Sequence, residues 1–328
     1  MTDRLGFVDV CAGAGGLALG LESAGFSPVL LLDNKPQACA TLLANRPDWK
    51  VVCEDMISFL PEEHPETLDV DLLSAGLPRV KSSAAVGRPD SEPELRLLMA
   101  TIYLLHSVQP RALLLENLPA LVDSPVYAEV RRFIAEELAH LGYRWSWFVL
   151  NAADFGVPQD REQGVLVALK EPWFDAFAPP KATVGEHVSA GQALRDSMAA
   201  RGWPEAEAWA DQATAVAPTL VGGSDNRGGA DVGPTGTKRA WARMGINGNA
   251  FADEVPGPDY LWPRSNDVAH MPKITVDQAA VVQAFPPEWQ ITGQKTARYR
   301  QIGHATPPPV GRALGEAIAT ALRSSGRA

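Results

Sequence analysis

The stretch FVDVCAGAGGLALG, residues 7–20, decides how the amino-terminal half of the chain folds. Four residues typical of a buried strand run directly into a turn with three glycines, and an apolar helix pattern follows at once. Glycines let a backbone turn tightly and approach a ligand, and the start of a helix offers unpaired N–H groups. The alternative is a turn without a ligand, since a glycine-rich turn alone is weak evidence for a site.

Strand-like and helix-like runs alternate through the first part of the chain. After the opening stretch come PVLLLD and QACATLLAN, LDVDLLSAG and LRLLMATIYLLHSV, RALLLEN and YAEVRRFIAEELAHLG, then the strand-like WSWFVLNA and GVLVALK. Such alternation is typical of βαβ units, so it predicts an α/β fold with a mostly parallel sheet and helices on both faces. In such folds ligands bind beyond the carboxyl ends of the strands.

Two acidic residues follow the next strand-like runs. Asp33 ends the second run, about twenty residues after the glycines, where a carboxylate can accept hydrogen bonds from ribose hydroxyls. Asp55 follows the short run VVCED and is a candidate to face an adenine amino group. The sequence therefore predicts a nucleotide-like site at this edge of the sheet.

The composition changes after Pro172, where glycine, proline, alanine and tryptophan become frequent and periodic runs become few. This change predicts a second, irregular domain over residues 173–294. Residues 1–172 and 295–328 are expected to form the main domain, because the final segment ALGEAIATALRSS is again helical in pattern.

Composition and charge restrict the class of protein. No apolar run approaches the roughly 20 residues that a membrane-spanning helix needs, and no basic, apolar leader opens the chain. The three cysteines fit neither a disulfide framework nor a metal site, so we expect a cytoplasmic protein with no membrane partner and no metal. The net charge of −10 argues against tight nonspecific DNA binding, although it leaves room for a local basic face.

Eight stretches resemble, in the same order, the signatures of cytosine-C5 DNA methyltransferases. They are DVCAGAGGLALGLESAGF, LLLDNKPQACATLLANRP, CEDMISF, DVDLLSAGLPRVKSSAAVG, RALLLENL, FGVPQDREQGVLVALK, KITVDQAAVVQAFPPEW and YRQIGHATPPPVGRALGEAI. The resemblance implies a Rossmann-like, adenosylmethionine-dependent methyltransferase fold with a target-recognition domain at 173–294. It also implies S-adenosyl-L-methionine as cofactor, S-adenosylhomocysteine as product and double-stranded DNA as partner. The glycine pattern is not Gly-x-Gly-x-x-Gly, which favours this cofactor over NAD.

The resemblance also implies which residues form the site. The implied cofactor-binding residues are Asp9, Ala12, Gly13, Gly15, Gly16, Leu17, Asp33, Asn34, Asp55, Met56, Gly76, Pro78, His304 and Ala305. The implied catalytic positions are Arg79, Glu116, Asn117 and Arg161. For Glu116 the alternative is a structural carboxylate that caps a helix or pairs with a base.

The chain departs from the family where the reaction needs its nucleophile. In the family, a cysteine thiolate adds to C6 of a flipped cytosine and so makes C5 reactive toward the methyl group. Here Pro78 is followed by Arg79, whose guanidinium stays protonated and cannot add to the ring. Cys11, Cys39 and Cys53 are expected to be small buried side chains rather than substitutes.

Other positions near the expected base pocket differ too. Val80 stands where glutamine is usual, Gln163 where a second arginine is usual and His304 where asparagine is usual, and residues 81–83 replace the usual loop. We hypothesise that Arg79 pairs with Glu116 and fills the site from within, because an arginine and a carboxylate form a well-matched fork.

The smaller domain contains side chains that could reach bases or phosphates. They are Ser224, Asn226, Arg227, Lys238, Arg239 and Arg243, and each could equally be an ordinary surface residue. Three tryptophans there, at 241, 262 and 289, are expected to pack in a core rather than to stack on bases.

Three functions fit these observations. The first is a DNA-acting family member with impaired or absent methylation, serving as a sequence-specific binder or as a regulatory partner of an active methyltransferase or another protein. The second is an enzyme that transfers the methyl group without a cysteine, to DNA or another substrate. The third is a remnant without cofactor, against which the retained glycines and Asp33 speak.

Overall fold

The computed structural model describes residues 4–80, 93–223, 230–263 and 267–324. The chain forms two compact units. Unit 1 consists of Met1–Leu150, Glu162–Lys181 and Val310–Ala328, and unit 2 of Asn151–Arg161 and Ala182–Pro309. Within the described ranges, no helix combines the length and the apolar character needed to cross a membrane.

A seven-stranded sheet forms the centre of unit 1. Its strands are β1 (Gly6–Val10), β2 (Ser27–Asp33), β3 (Val51–Cys53), β4 (Leu72–Gly76), β5 (Ala112–Asn117), β6 (Tyr143–Asn151) and β8 (Glu162–Lys170), in the order β3-β2-β1-β4-β5-β8-β6. The first five strands in this order are parallel, and β8 runs antiparallel to β5. The prediction of a mostly parallel sheet is therefore confirmed.

The strand order reverses between β1 and β4, since the chain first adds β2 and β3 on one side and later β5 on the other. At such a switch point the loops after two neighbouring strands diverge and leave a crevice at the carboxyl edge. The fold thus places the glycine turn after β1 and the segment after β4 at the two sides of one crevice.

Helices pack on this sheet because each shows an apolar stripe of helical period. They are α1 (Gly16–Ser23), α2 (Pro36–Asn45), α3 (Pro93–Val108), the short α4 (Ala120–Asp123), α5 (Ala128–His140) and, at the end of the chain, α11 (Pro308–Ser324). On α3 the residues Leu95, Leu98, Ile102 and Leu105 are all buried in the main apolar cluster. A side chain at Gly311 of α11 would press on the backbone of Leu17, so α11 supports the helix that begins at the glycine turn.

Unit 2 is more regular than its composition predicts. It contains β7 (Gln159–Asp160), β9 (Ala217–Pro218), α6 (Ala190–Ala199), α7 (Ala206–Gln212), α8 (Thr235–Arg243), α9 (Val276–Val282) and α10 (Lys295–His304). Ser189 with Gln192, and Thr275 with Gln278, form capping boxes that start α6 and α9. The helices were not expected because they are short, with seven to ten residues each, and lie between segments rich in glycine and proline.

The compact units differ from the predicted domain boundaries at three places. Residues 173–181 lie in unit 1, and two segments, 151–161 and 295–309, lie in unit 2. The first segment carries β7, which pairs with β9. The second carries α10, where Arg298 Nε donates to Ile291 O at 3.1 Å and Gln301 Nε2 donates to Thr292 O at 2.9 Å.

Candidate functional site

The turn after β1 is held in a left-handed conformation that leaves the start of α1 open. Gly13 and Gly15 have φ of 56° and 81°, and Cys11 also has a positive φ. The Ala12 N–H donates to Leu32 O at 3.0 Å, which joins the turn to β2. No side chain caps α1 and no acidic residue lies in its first turn, so its N-terminus suits an anionic group of a ligand.

The Asp33 carboxylate is fixed at the carboxyl end of β2. Its Oδ2 accepts a hydrogen bond from Gly13 N at 2.8 Å, and its Oδ1 accepts one from Lys35 N at 2.8 Å. Burial raises the pKa of Asp33, and these two backbone donors oppose that rise. Each carboxylate oxygen has a further lone pair, so Asp33 can still accept hydrogen bonds from a diol.

Two more carboxylates make this corner acidic. Asp9 on β1 is fully buried, and its Oδ1 accepts a hydrogen bond from Ser74 Oγ at 2.6 Å, while Oδ2 has no hydrogen-bond partner among the described residues. Burial, together with the charge of Asp33, raises the pKa of Asp9 to about 7. Asp55 accepts a hydrogen bond from Ile57 N at 2.9 Å and one from Asn34 Nδ2 at 3.5 Å. Burial and these three acids raise the pKa of the Cys11 thiol.

The segment after β4 is bound to the end of β5 by one amide side chain. Asn117 Nδ2 donates to Pro78 O at 3.2 Å, and Asn117 Oδ1 accepts from Val80 N at 3.2 Å. Tyr127 OH also donates to Val80 O, at 3.1 Å. These bonds bracket Arg79 on both sides and hold its backbone beside β5, while its side chain is exposed.

Glu116 lies on one face of the sheet with several small or polar neighbours. It is opposite Gly76 on β4 and opposite Val165 on β8, so all three share a face. Gln163, two residues before Val165, is on that face as well. Glu116 is only 4% exposed and Gln163 is fully buried.

The hypothesis that Arg79 pairs with Glu116 is wrong for this structure. No ion pair joins the two side chains in the described part of the chain, and Arg79 is exposed while Glu116 is buried. The reason is the bracket around Arg79, which fixes the backbone and leaves the long side chain pointing to solvent.

Comparison with known proteins decides the family. The family model for C-5 cytosine-specific DNA methylases matches residues 5–320. The chain therefore belongs to the C-5 cytosine-specific DNA methylases. It is 42% identical to the type II methyltransferase M.NaeI of Lentzea aerocolonigenes over 97% of its length and 76% of that protein's. It is 38% identical to the type II methyltransferase M.NgoMIV of Neisseria gonorrhoeae over 96% of its length and 97% of that protein's.

The fold agrees with solved structures of methyltransferases. The structure of the S. pombe Dnmt2 methyltransferase superposes with a TM-score of 0.64 at 16% identity, covering 98% of this chain and 100% of that one. The Rossmann-like methyltransferase fold expected from the sequence is thus confirmed. The C-5 methylases use S-adenosyl-L-methionine, and a DNA substrate is consistent with the family.

The acidic corner of this methylase fits S-adenosylmethionine. The cofactor carries a positive sulfonium and an ammonium, which favour surroundings made acidic by Asp9, Asp33 and Asp55. Its ribose diol matches the acceptors of Asp33, and its carboxylate matches the open N-terminus of α1. When bound, the cofactor supplies the methyl group. Ala12, Gly16 and Leu17 lie in the turn and the first residues of α1, whereas the side chain of Met56 is buried in the core.

Three of the expected catalytic and cofactor-binding residues belong to unit 2. Arg161 is 2% exposed, and its Nη1 donates to Leu220 O at 2.9 Å and to Gly303 O at 3.0 Å. These bonds join three segments of unit 2, so the structure gives Arg161 a stabilising role, and its catalytic role stays a prediction. His304 Nε2 lies 3.0 Å from Gly223 O; its role and that of Ala305 at the cofactor also stay predictions.

The expected DNA-binding side chains differ in their solvent exposure and in whether an ion pair balances their charge. Ser224, Asn226 and Arg227 lie outside the described residues. Lys238 Nζ forms an ion pair with Asp231 at 2.7 Å, whereas Arg239 and Arg243, on the same helix, are exposed. The three tryptophans at 241, 262 and 289 are buried, as expected for core packing.

Sequence reasoning missed the residues that hold the site in place. Ser74 binds Asp9 and Tyr127 binds Val80, and neither was singled out. A lone serine within the apolar strand LLSAG was the available signal for Ser74. Nothing in the sequence marked Tyr127, because its partner is 47 residues away in the chain.

Proposed function

We propose that this chain binds S-adenosylmethionine and DNA but does not methylate C5 of cytosine, because Arg79 stands where the nucleophilic cysteine would be. The observation that carries the proposal is the bracketed segment Pro78–Arg79–Val80 at the carboxyl end of β4. A guanidinium at this position offers no lone pair to C6. Loss of a covalent nucleophile commonly lowers the rate by several powers of ten.

The cysteines elsewhere do not supply a replacement thiolate. Cys11 adjoins the crevice, but burial and the neighbouring carboxylates raise its pKa and keep the thiol protonated. Cys39 is buried in α2, and burial raises its pKa to about 12. Cys53 is exposed, so the expectation that it is buried is wrong; it lies on β3, beyond β2 from the switch point.

Under this proposal the chain acts through binding. The retained corner around Asp33 keeps the cofactor, and unit 2 supplies exposed arginines for DNA. Such a protein would bind a DNA sequence by itself, or would serve as a regulatory or specificity partner of an active methyltransferase.

A second candidate is methyl transfer without a cysteine. The names of the relatives favour it, since both are type II methyltransferases, and so does the intact acidic corner. An amine or hydroxyl acceptor needs only positioning and a base, not covalent activation. This candidate predicts a methylated product other than 5-methylcytosine.

One experiment separates the two candidates. The chain is incubated with methyl-labelled S-adenosylmethionine and unmethylated genomic DNA, and the nucleosides are then analysed by mass spectrometry. We expect no labelled 5-methylcytosine. Another labelled nucleoside would support the second candidate, and labelled 5-methylcytosine from the unaltered chain would refute both.

Restoring a thiol at position 79 tests directly whether the missing nucleophile prevents C5 methylation. We expect Arg79→Cys to form 5-methylcytosine above the background of the unaltered chain and to be trapped covalently on a 5-fluorocytosine duplex. Arg79→Ser is the matched control, since it removes the guanidinium without supplying a thiol, and should give neither result. Trapping of the unaltered chain would contradict the proposal.

A further inference from the structure

Two of the three cysteines flank the backbone of Asp33, whose carboxylate matches the ribose diol of the cofactor. Cys53 on β3 lies opposite Asp33 in the parallel register of β2 and β3. Cys39 on α2 directs its thiol at the same residue, because its Sγ donates to Asp33 O at 3.4 Å. That oxygen also accepts a hydrogen bond from Glu54 N at 3.1 Å. One carbonyl oxygen is therefore contacted by the Cys39 thiol and by the residue that follows Cys53.

The thiols of Cys39 and Cys53 are neighbours that differ in exposure. The Cys53 thiol adds to the effect of burial, and the two together raise the pKa of Cys39 to about 12. Cys39 is only 5% exposed, whereas Cys53 is exposed, and both are free thiols in this structure. The fold thus places a thiol that a dissolved reagent can reach beside a thiol that is shielded from solvent.

Cys11, the third cysteine, has different surroundings. It lies in the turn after β1, where burial and the charges of Asp33, Asp9 and Asp55 raise the pKa of its thiol. Carboxylates surround this thiol, and a thiolate is the form that attacks a disulfide. We therefore expect Cys11 to take no part in the chemistry of the other two cysteines.

We propose that Cys39 and Cys53 form a reversible disulfide and that this disulfide weakens the binding of S-adenosylmethionine. The oxidant is a low-molecular-weight disulfide such as oxidised glutathione. The exposed Cys53 attacks one of its sulfurs as a thiolate, forms a mixed disulfide and releases one thiol. Cys39 then attacks Cys53 Sγ and releases the second thiol, which takes up the proton of Cys39. Two protein thiols are oxidised, and the reagent is reduced to two thiols.

The disulfide would act on the cofactor through Asp33. It removes the hydrogen that Cys39 donates to Asp33 O and draws this part of α2 toward β3. The Asp33 carboxylate is held by Lys35 N at the start of α2 and by Gly13 N in the glycine turn. A shift of α2 against β2 therefore moves the acceptors for the ribose diol. The inference rests on the proposed binding of S-adenosylmethionine.

Mass spectrometry tests whether the disulfide forms. The full chain is treated with oxidised glutathione and digested without reduction. We expect a link between Cys39 and Cys53 that dithiothreitol reverses. Cys39→Ser should stop at a mixed disulfide on Cys53, and Cys53→Ser should leave the shielded Cys39 as a thiol. Absence of the link, a link to Cys11, or a mixed disulfide that persists on Cys53 of the unaltered chain would overturn the inference.

Calorimetry tests whether the disulfide changes cofactor binding. We expect the disulfide form to bind S-adenosylmethionine about five- to tenfold more weakly than the reduced chain, at the lower end of the usual coupling between two sites. Cys53→Ser, treated with the same oxidant, should keep the affinity that it had before treatment. The Tm of the disulfide form should not fall, because a cross-link restricts the unfolded chain. Equal affinity of the two forms, or weaker binding together with a lower Tm, would contradict the proposal.

Reciprocity of the coupling provides an independent measurement. If the disulfide weakens cofactor binding by some factor, saturating cofactor must lower the equilibrium constant for disulfide formation by the same factor. The disulfide fraction is measured in a glutathione redox buffer with and without S-adenosylmethionine. An unchanged fraction would show that the two cysteines and the cofactor are not coupled.

Failure of the inference can be told from failure of the proposed function. If the reduced chain does not bind S-adenosylmethionine, the proposed function fails. If the reduced chain binds it, and the disulfide does not form or does not alter the affinity, only the inference about Cys39 and Cys53 fails.

Discussion

Asp9 shows how burial in the fold disfavours the charged form of a carboxylate. It is fully buried on β1, with a hydrogen bond from Ser74 to one oxygen. Burial raises its pKa to about 7, well above the value of about 3.9 expected for an unfolded chain. Near neutral pH, this carboxylate can therefore exist in both protonation states, and a cationic ligand would favour the charged one.

This pKa predicts how stability depends on pH. A raised pKa means that protonated Asp9 stabilises the fold fully below about pH 4, and that this contribution is lost as pH rises through about 7. We expect Asp9→Asn, which cannot ionise, to be more stable than the unaltered chain at pH 8.5 by about 2–4 kcal/mol, with the difference shrinking toward pH 5. Denaturant unfolding without cofactor across this range measures it.

A surface carboxylate provides the control for that series. Asp253 is 90% exposed, so Asp253→Asn should run parallel to the unaltered chain at every pH. A constant difference between Asp9→Asn and the unaltered chain from pH 5 to 8.5 would show that Asp9 does not titrate in this range.

At the scale of elements, Asn117 joins β5 to the segment after β4. Its side chain accepts from Val80 N and Leu118 N and donates to Pro78 O, all within 3.2 Å. Together with the bond from Tyr127 OH to Val80 O, this side chain sets where the backbone of Arg79 lies. A parallel sheet aligns its strands but leaves the chain beyond their ends unpaired, so the loop needs such a bond.

We expect Asn117→Ala to lower the free energy of unfolding by about 1–3 kcal/mol, because it leaves buried backbone groups without partners. Amide hydrogen exchange at Val80 should become faster, and the increase should be larger than the loss of global stability alone would cause. Asn45, which is partly buried on α2, offers a control: its Nδ2 donates to Thr41 O and not to the segment after β4, so Asn45→Ala should leave exchange at Val80 unchanged. Unchanged exchange in Asn117→Ala would show that the segment is held by other contacts.

At the scale of the whole molecule, charge limits how the chain can bind DNA. The net charge is −10, so attraction to phosphates must come from a local basic surface. In the described part of unit 2, α8 carries Arg239 and Arg243 on exposed positions one turn apart, while the charge of Lys238 is balanced by Asp231.

This arrangement predicts a modest, salt-sensitive affinity for duplex DNA. Arg239→Ala and Arg243→Ala should each weaken binding and reduce the slope of log K against log salt by about 1, whereas Lys238→Ala should change the slope less. The slopes are measured by fluorescence anisotropy of a labelled duplex at several salt concentrations. A range of roughly 50 to 300 mM includes physiological ionic strength. Equal effects of all three substitutions would show that the ion pair with Asp231 does not matter for DNA.

The structural features that are set by residues adjacent in the chain could be predicted from the sequence. The alternation of strands and helices, the glycine turn and Asp33 all follow from local patterns, and the structure has each of them. The short helices of unit 2 were not expected, because seven to ten residues give too few turns to stand out among glycine and proline; capping boxes start two of them.

The sequence by itself determined the strand–turn–helix that opens the fold and the presence of an arginine after Pro78, because each depends only on residues that are adjacent in the chain. Only the tertiary structure decided that Asn117 holds the backbone on both sides of Arg79, that Arg161 joins segments of unit 2 and that Gln163 is buried on the same face as Glu116. These contacts join residues tens of positions apart, and their geometry exists only once the strands have taken their order and register.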